Sequence, residues 1–277
     1  MQKGQIFLGI GTVLLIVALY FGGNTVSKKD KTTKETSVIT NYSFEQYEQD
    51  KLAKLLADEK TQFSAISSKI KATQKSDTAQ LNVLYSEAFN FWKNLSNPAL
   101  AAYYFYQSAN IADTKESMEN AGDALVNAYK STEDSVILNN LITFALRSYE
   151  AAVQKDGSDV ALKIKLADAY VQGSQEPMKG IELLRQLEDS LPNNIPVLLA
   201  LGRLSIQSGQ YEKAKERLKK VIQEQPQNTE ALYFLAITEA QLGHKEEATK
   251  LFEMCKLLVN NEEFSKEIDV IIDNLKK

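Results

Sequence analysis

The sequence is poor in the residues from which most enzymes build their active sites. Its 277 residues include one cysteine, one histidine and one tryptophan. A single cysteine excludes an internal disulfide, and nucleophilic or metal sites usually place His or Cys beside a second reactive group. The motifs GxSxG, HExxH, GxxxxGK[ST] and GxGxxG are also absent. We therefore predict that the protein is not an enzyme and that it uses no cofactor and no metal.

An excess of positive charge is missing too. The chain has 32 basic and 36 acidic residues, for a net charge of −4, and the basic residues are scattered. A nucleic-acid-binding protein needs a basic face that displaces counterions from phosphates, so we predict no nucleic-acid partner. Hydrophobic residues make up 44% of the chain and charged residues 25%, which is typical of a folded protein.

Charge is absent altogether from residues 4–23, close to the N-terminus. As a helix this run would span about 30 Å, the thickness of the bilayer's hydrocarbon core. We predict a single-pass membrane anchor. A cleaved signal peptide is the alternative, but the run is long for one, and Phe21-Gly22-Gly23 is a poor cleavage site. The next segment, residues 24–42, is rich in threonine and lysine and is interpreted as a polar linker.

Glycine and proline are absent between Asn24 and Asn97, so nothing there forces a helix to end. The spacing of Ser43 and Gln46 matches a capping box and predicts a helix start. Apolar residues continue at helical spacing to Ile70, which predicts one long helix, or two helices with a turn near residues 75–78. These helices could form a dimeric stalk, but packing against the rest of the chain is favoured because charges interrupt the heptad seam.

The clearest pattern lies in residues 195–260, where one motif occurs twice. Gly209 recurs as Gly243, and Ala214 recurs as Ala248. A fixed period of about 34 residues predicts a stack of helix–turn–helix units. A small–large–small triplet with spacings of 4 and 3 occurs five times: Ala102-Tyr106-Ala109, Ala145-Tyr149-Ala152, Gly180-Leu184-Leu187, Ala214-Leu218-Val221 and Ala248-Phe252-Cys255.

This pattern resembles the tetratricopeptide repeat, whose second helix carries such a triplet. The first helices carry the matching pairs Leu166-Ala167, Leu201-Gly202 and Leu235-Ala236. Two positions depart from the family: its tryptophan is replaced by leucine, and its tyrosine by Ser205 and Glu239. The resemblance implies an all-α solenoid of helix–turn–helix units. We expect N-terminal helices in residues 43–97, about five units in residues 98–260 with the last three regular, and a capping helix in residues 261–277.

The family binds other proteins on the concave face formed by its first helices. By position, this face comprises eight residues here: Ile164, Asp168, Leu199, Arg203, Ile206, Tyr233, Ile237 and Gln241. Family members that bind a C-terminal carboxylate use a clamp of Lys, Asn and Arg. Here the matching positions are mostly apolar and Arg203 is the one well-placed cation, so we expect an apolar or amphipathic protein segment as partner. The alternative is that residues 43–97 of the chain itself fill the face.

The order of anchor, linker and repeats resembles bacterial envelope proteins of this family, including ancillary factors of the secretion channel. This resemblance implies a single-pass membrane protein that acts as an interaction scaffold or adaptor. We expect the repeats on the extracytoplasmic side, because single-pass anchors this close to an N-terminus often export the domain behind them; the alternative is the cytoplasmic side, which the lysines of residues 28–34 alone would favour. The alternative function is a chaperone-like holder of exported chains at the channel.

Overall fold

A computed structural model describes residues 42–276. This part of the chain forms thirteen helices and no strands, so the all-α prediction is confirmed for it. The helices are α1 Phe44–Ala53, α2 Ala57–Ala72, α3 Thr78–Asn94, α4 Pro98–Ala112, α5 Lys115–Ser131, α6 Ser135–Lys155, α7 Val160–Gly173, α8 Pro177–Ser190, α9 Ile195–Gln207, α10 Tyr211–Glu224, α11 Thr229–Gln241, α12 Lys245–Val259 and α13 Glu262–Lys276.

The predicted membrane anchor at residues 4–23 lies outside the described residues, as does all but the last residue of the predicted linker. Among the thirteen helices, none combines the length and the apolar character needed to cross a bilayer.

The capping box at the start of α1 is confirmed. Gln46 N donates to the Ser43 hydroxyl over 3.2 Å, and Ser43 N donates to the Gln46 side chain over 2.8 Å. The predicted turn before α3 is also present, but a second break separates α1 from α2. There Glu59 accepts a hydrogen bond from Leu56 N over 2.9 Å, which satisfies a backbone donor at the new helix start. Periodicity missed this break because neither glycine nor proline marks it.

Consecutive helices from α3 to α12 pack against one another, with extensive contacts inside the pairs α3/α4, α5/α6, α7/α8, α9/α10 and α11/α12 and a comparable interface between α4 and α5. The last four pairs lie within residues 98–260, where repeat units are expected, and the first pair joins α4 to α3 from residues 43–97. All fifteen residues of the five triplets are buried except Tyr106, which is half-buried. The close approach of paired helices excludes larger side chains. A Cβ on Gly180 would lie 2.4 Å from the Ala167 carbonyl oxygen, and one on Gly202 would lie 3.0 Å from Leu218 Cδ2.

Two glycine turns set the regular spacing of the last units. Gly209 has φ +71° and Gly243 has φ +83°, a backbone region in which glycine is free of the Cβ clash. Helix α13 follows α12 and packs against it, with Phe264, Ile268 and Ile272 buried. The predicted last helix is therefore present.

Candidate functional site: the first-helix face of α7, α9 and α11

The eight residues predicted from the repeat positions lie on three first helices that contact one another in order, α7 with α9 and α9 with α11. We call them the first-helix face: Ile164 and Asp168 on α7, Leu199, Arg203 and Ile206 on α9, and Tyr233, Ile237 and Gln241 on α11. All eight are half-buried. They therefore differ from the fully buried positions of the same helices, such as Leu201 and Leu235.

Arg203 lies at the centre of this face and joins all three helices. Its Nη1 is 2.9 Å from Glu230 Oε1 on α11, and its Nη2 is 3.6 Å from Asp168 Oδ2 on α7. The Arg203 side chain is 37% exposed, so water screens these pairs and each adds little stability. Their effect is on charge: one cation and two carboxylates give this cluster a net charge of −1.

Asp168 is the more buried of the two carboxylates. Burial raises the pKa of its carboxyl group, while the nearby charges of Arg203 and Lys130 act in the opposite direction. Because Arg203 already forms ion pairs with two carboxylates, it is not the free cation that a carboxylate clamp requires.

The remaining predicted residues do not form one continuous patch. Ile164 packs against the core cluster that contains Ala167, Leu184 and Leu201. The Tyr233 ring turns away towards the chain's end, with its centroid 5.8 Å from that of Phe252 on α12 and 6.3 Å from that of Phe264 on α13.

The hydroxyl of Tyr233 is buried and has no hydrogen-bond partner within the described residues. Burial raises the pKa of this phenol to about 12. The face therefore divides into an aliphatic part around Arg203 and an aromatic part around Tyr233.

The N-terminal helices pack elsewhere. Helix α1 contacts α4 and α6, and α2 contacts α3. Side chains support this placement: Phe44 stacks on Tyr103 of α4 at a centroid distance of 4.4 Å, and Lys51 Nζ lies 2.8 Å from Asp134 Oδ2, next to α6. These helices thus dock on α3, α4 and α6 rather than on α7, α9 and α11.

Two buried polar residues behind the face were not given a role by sequence reasoning. Ser205 and Glu239 occupy equivalent positions of consecutive units, where the family has tyrosine, and both are almost fully buried. Ser205 accepts a hydrogen bond from Arg217 Nη1 over 2.8 Å. Arg217 also binds Glu188 with two parallel bonds of 2.7 and 2.9 Å, the geometry in which Arg–carboxylate pairs are strongest.

Glu239 is held by side chains from the neighbouring helix and the following turn. Lys215 Nζ lies 3.0 Å from its carboxylate, and His244 Nδ1 lies 2.6 Å from it. Burial alone would raise the pKa of Glu239, but hydrogen bonds from His244 and Lys215 outweigh it and lower that pKa. The signal that could have found the Glu239–Lys215 pair was a glutamate at a core position of the repeat, preceded by a lysine-rich second helix.

Reactive groups do not converge on the first-helix face. Cys255 is buried, and burial raises the pKa of its thiol to about 12, so the thiol is protonated at neutral pH. Across residues 42–276, no group of three or more His, Cys, Asp and Glu side chains is arranged to hold a metal ion. The geometry supports binding through shape, apolar contact and charge.

Comparison with known proteins gives a family match and several distant structures. Residues 205–263 match the sequence model of the tetratricopeptide repeat, and no curated protein matches the chain.

Similar structures include MamA (16% identity, TM-score 0.46, covering 65% of this chain and 92% of that one). They also include YrrB, described as a TPR protein with an unusual peptide-binding site (14% identity, TM-score 0.44, covering 74% and 97%). A third is TTC0263, a thermophilic TPR protein of Thermus thermophilus (18% identity, TM-score 0.43, covering 65% and 97%).

All three TM-scores lie below 0.5, and the roles of this chain's residues rest on its own geometry. The family match overlaps residues 195–260, in which the repeat period is most regular. Residues 205–263, with helices α10 to α12, are thereby identified as tetratricopeptide-repeat sequence.

Proposed function

We propose that this chain is a membrane-anchored scaffold that binds a protein segment on the aliphatic part of its first-helix face. The observation that carries the proposal is the arrangement around Arg203. Half-exposed Leu199, Ile206 and Ile237 lie on adjacent first helices, and the Arg203 guanidinium between them is already paired with two carboxylates. Helices α1 and α2 pack mainly against α3, α4 and α6, and none of these helices carries the three aliphatic side chains.

The charges of the face define the partner further. Because Asp168 and Glu230 occupy the guanidinium of Arg203, a partner carboxylate would have to displace one of them. The net charge of −1 also disfavours an acidic segment. The partner is therefore an apolar or amphipathic segment, helical or extended, that places aliphatic side chains between α9 and α11.

The membrane part of the proposal rests on residues 4–23, whose uncharged length suits a single span. The chain is anchored once, residues 24–42 hold the repeats away from the bilayer, and the repeats face the extracytoplasmic side. Removal of residues 1–23 should release a soluble helical protein from the membrane fraction, and its aggregation would contradict this boundary. The activity of a reporter enzyme fused to the C-terminus would show on which side of the membrane the repeats lie.

The binding face can be tested with photo-crosslinking amino acids placed in the full-length chain in cells. Positions Leu199 and Ile206 on α9 should capture the same protein. Positions Glu212 and Gln223, exposed on α10, should not. Capture from α10 alone would contradict the first-helix face.

A purified captured partner then permits a charge test. Arg203→Glu replaces the central cation with a third carboxylate and should weaken binding by about tenfold, the equivalent of about 1.4 kcal/mol, with helicity unchanged. Arg185→Glu is the matched control, because Arg185 is exposed on the second helix α8. Equal affinities of the two variants would remove Arg203 from the site. If the protein binds unrelated unfolded chains as tightly as the captured partner, the result would favour a chaperone-like holder over a scaffold.

A further inference from the structure

A second recess lies far along the chain from the first-helix face, between helices α1, α2, α3 and α4. Its volume is about 230 Å³, enough for the end of one long side chain. A larger depression of about 470 Å³ lies over the loop of residues 225–228, but only polar loop residues and a proline line it. The smaller recess combines carboxylates, tyrosine rings and one lysine.

Glu48 is the central polar group of this recess. The hydroxyl of Tyr104 donates to Glu48 Oε1 over 2.6 Å. Within residues 42–276, no lysine or arginine nitrogen forms an ion pair with Glu48. Burial raises the pKa of its carboxyl group, while Tyr104, the nearby indole of Trp92 and the charge of Lys71 act in the opposite direction. A carboxylate that loses water without gaining a cation is unfavourable unless another group compensates it.

Aromatic rings form the walls around this carboxylate. Tyr103 and Tyr104 meet edge to face at 5.4 Å, and Tyr85 lies 6.3 Å from Tyr104. The faces of such rings attract cations, most strongly where water is excluded. The second carboxylate, that of Glu45, accepts a hydrogen bond from the Tyr103 hydroxyl over 3.4 Å.

The tyrosine rings and the partly buried carboxylate of Glu48 together select the charge of a ligand. With Glu45, Glu48 and Lys71 as its charged residues, the recess has a net charge of −1. An anion would face this charge, and a neutral apolar ligand would leave Glu48 without a cationic partner. A cation with a narrow alkyl stem satisfies both the carboxylate and the rings.

We propose that this recess binds an alkylammonium or alkylguanidinium group, supplied either by a small molecule or by a lysine or arginine side chain of another protein. The head of the cation pairs with Glu48, and its stem lies against Tyr85, Tyr103 and Tyr104. Lys71, exposed at the recess, competes for the same carboxylate. The site uses none of the residues of the first-helix face, so tests of this site and of the scaffold proposal are independent.

The chain's single tryptophan makes the proposal measurable. Trp92 is 1% exposed and its ring lies 5.0 Å from that of Phe63, which in turn lies 6.0 Å from that of Tyr104 in the recess, so its emission should report binding. The full-length chain in detergent is titrated with n-butylguanidinium and n-butylammonium, and with n-butanol as the neutral isostere. Either cation should produce a saturable change and the alcohol none. Absence of a saturable change, or equal binding of the alcohol, would overturn the proposal.

Variants test the roles of the two charges. Glu48→Gln keeps an acceptor for Tyr104 but removes the charge, and should weaken cation binding at least about tenfold. Lys71→Gln removes the competitor and should tighten it. Glu224→Gln, an exposed change on α10, should match wild type. Unchanged affinity in Glu48→Gln with its helicity intact would contradict the assignment.

A capped Gly-Arg-Gly peptide distinguishes the two sources of the cation. Tighter binding of the peptide than of n-butylguanidinium supports a protein side chain as ligand. Binding of the free cation alone supports a small molecule. Failure of both probes overturns the site.

Discussion

Helices α1–α6 and helices α7–α10 are built from the same helix-pair plan but are packed by different chemistry. In α1–α6, rings meet in a chain of contacts, with Phe63 5.0 Å from both Phe91 and Trp92, and Tyr106 4.9 Å from Phe144. In α7–α10, small and aliphatic side chains line the helix interfaces, and buried polar residues such as Ser205 form hydrogen bonds with charged side chains. We call these the aromatic region and the aliphatic region.

The difference follows from regularity. Where units repeat at a fixed period, each gap between helices has the same shape, and one leucine in each triplet fills it. Where the repeat spacing widens between α4 and α6, and where α1 and α2 are added, the gaps are irregular. Large rings fill such gaps because each buries about 150–250 Å² and contacts several neighbours. The comparison predicts that the two regions can be weakened separately, as nearest-neighbour packing in repeat proteins allows.

The largest effect is expected from a charge at the core of the aliphatic region. Leu218 is fully buried, so Leu218→Asp should lower the free energy of unfolding by at least about 4 kcal/mol. Circular dichroism should show early loss of part of the helix signal, while the unfolding transition of Trp92 emission stays close to that of wild type. Leu257→Asp is the matched control, because Leu257 is 81% exposed, and it should leave both signals unchanged. Equal destabilisation by the two variants would show that the repeat register is wrong.

The opposite pattern is expected from the aromatic region. Phe63 is fully buried among Phe91, Trp92 and Tyr104. Phe63→Ala should lower the free energy of unfolding of the aromatic region by about 3 kcal/mol, because the substitution leaves a cavity. The transition of Trp92 emission should move to lower denaturant while a later helix transition persists. Phe105→Ala removes a half-buried ring and should cost less. A single shared transition in Phe63→Ala would mean that the two regions unfold as one unit.

Much of the aliphatic region could be predicted from the sequence, because its period fixes which side chains are buried. The triplets, the glycine turns and the pairing of helices all follow from residues such as Gly209 and Ala214. The break between α1 and α2 could not be predicted, since it depends on where α1 docks rather than on a helix-breaking residue. The turn of Tyr233 towards α12 and α13 was missed for a related reason: the repeat positions give a helix face but not the neighbour that a long side chain contacts.

The repeat pattern predicts which helices carry the candidate-site residues, but it does not predict how their charged groups pair. Periodicity placed Arg203 on the first-helix face. It could not show that Asp168 and Glu230 from two other helices bind the same guanidinium, because those contacts depend on side-chain geometry across repeats. The recess around Glu48 was invisible for the same reason: four helices contribute to it, and the sequence has no period there.

Two glutamates, Glu48 in the aromatic region and Glu239 on α11 beside the aliphatic region, should make opposite contributions to the pH dependence of stability. Hydrogen bonds from His244 and Lys215 lower the pKa of Glu239 in the fold, so its ionised form stabilises the protein above the unfolded pKa of about 4.3. That contribution is lost as the pH falls through the lower, folded value. Burial raises the pKa of Glu48, so ionisation of Glu48 weakens the fold as the pH rises from the unfolded pKa through the folded value.

Glu239→Gln should therefore lower the free energy of unfolding at neutral pH by about 1.5–3 kcal/mol. The decrease in that free energy as the pH falls should also be less steep than in wild type. Glu48→Gln should hold or raise stability at neutral pH. Denaturant unfolding between pH 3 and pH 7 measures both, and changes of the same sign in the two variants would contradict this contrast.

The smallest effect concerns the turns, where the two regions again differ. Gly209 has φ +71° with open space around it, whereas in the aromatic region Ser96 adopts φ +53° in an exposed turn. Gly209→Ser introduces Cβ strain and should lower stability by about 1 kcal/mol. Ser96→Gly removes such strain and should raise stability by about 0.5 kcal/mol, because it also makes the unfolded chain more flexible. Thermal unfolding of the two single variants should shift in opposite directions. A loss of stability in Ser96→Gly would show that the serine makes a contact whose value exceeds its backbone strain.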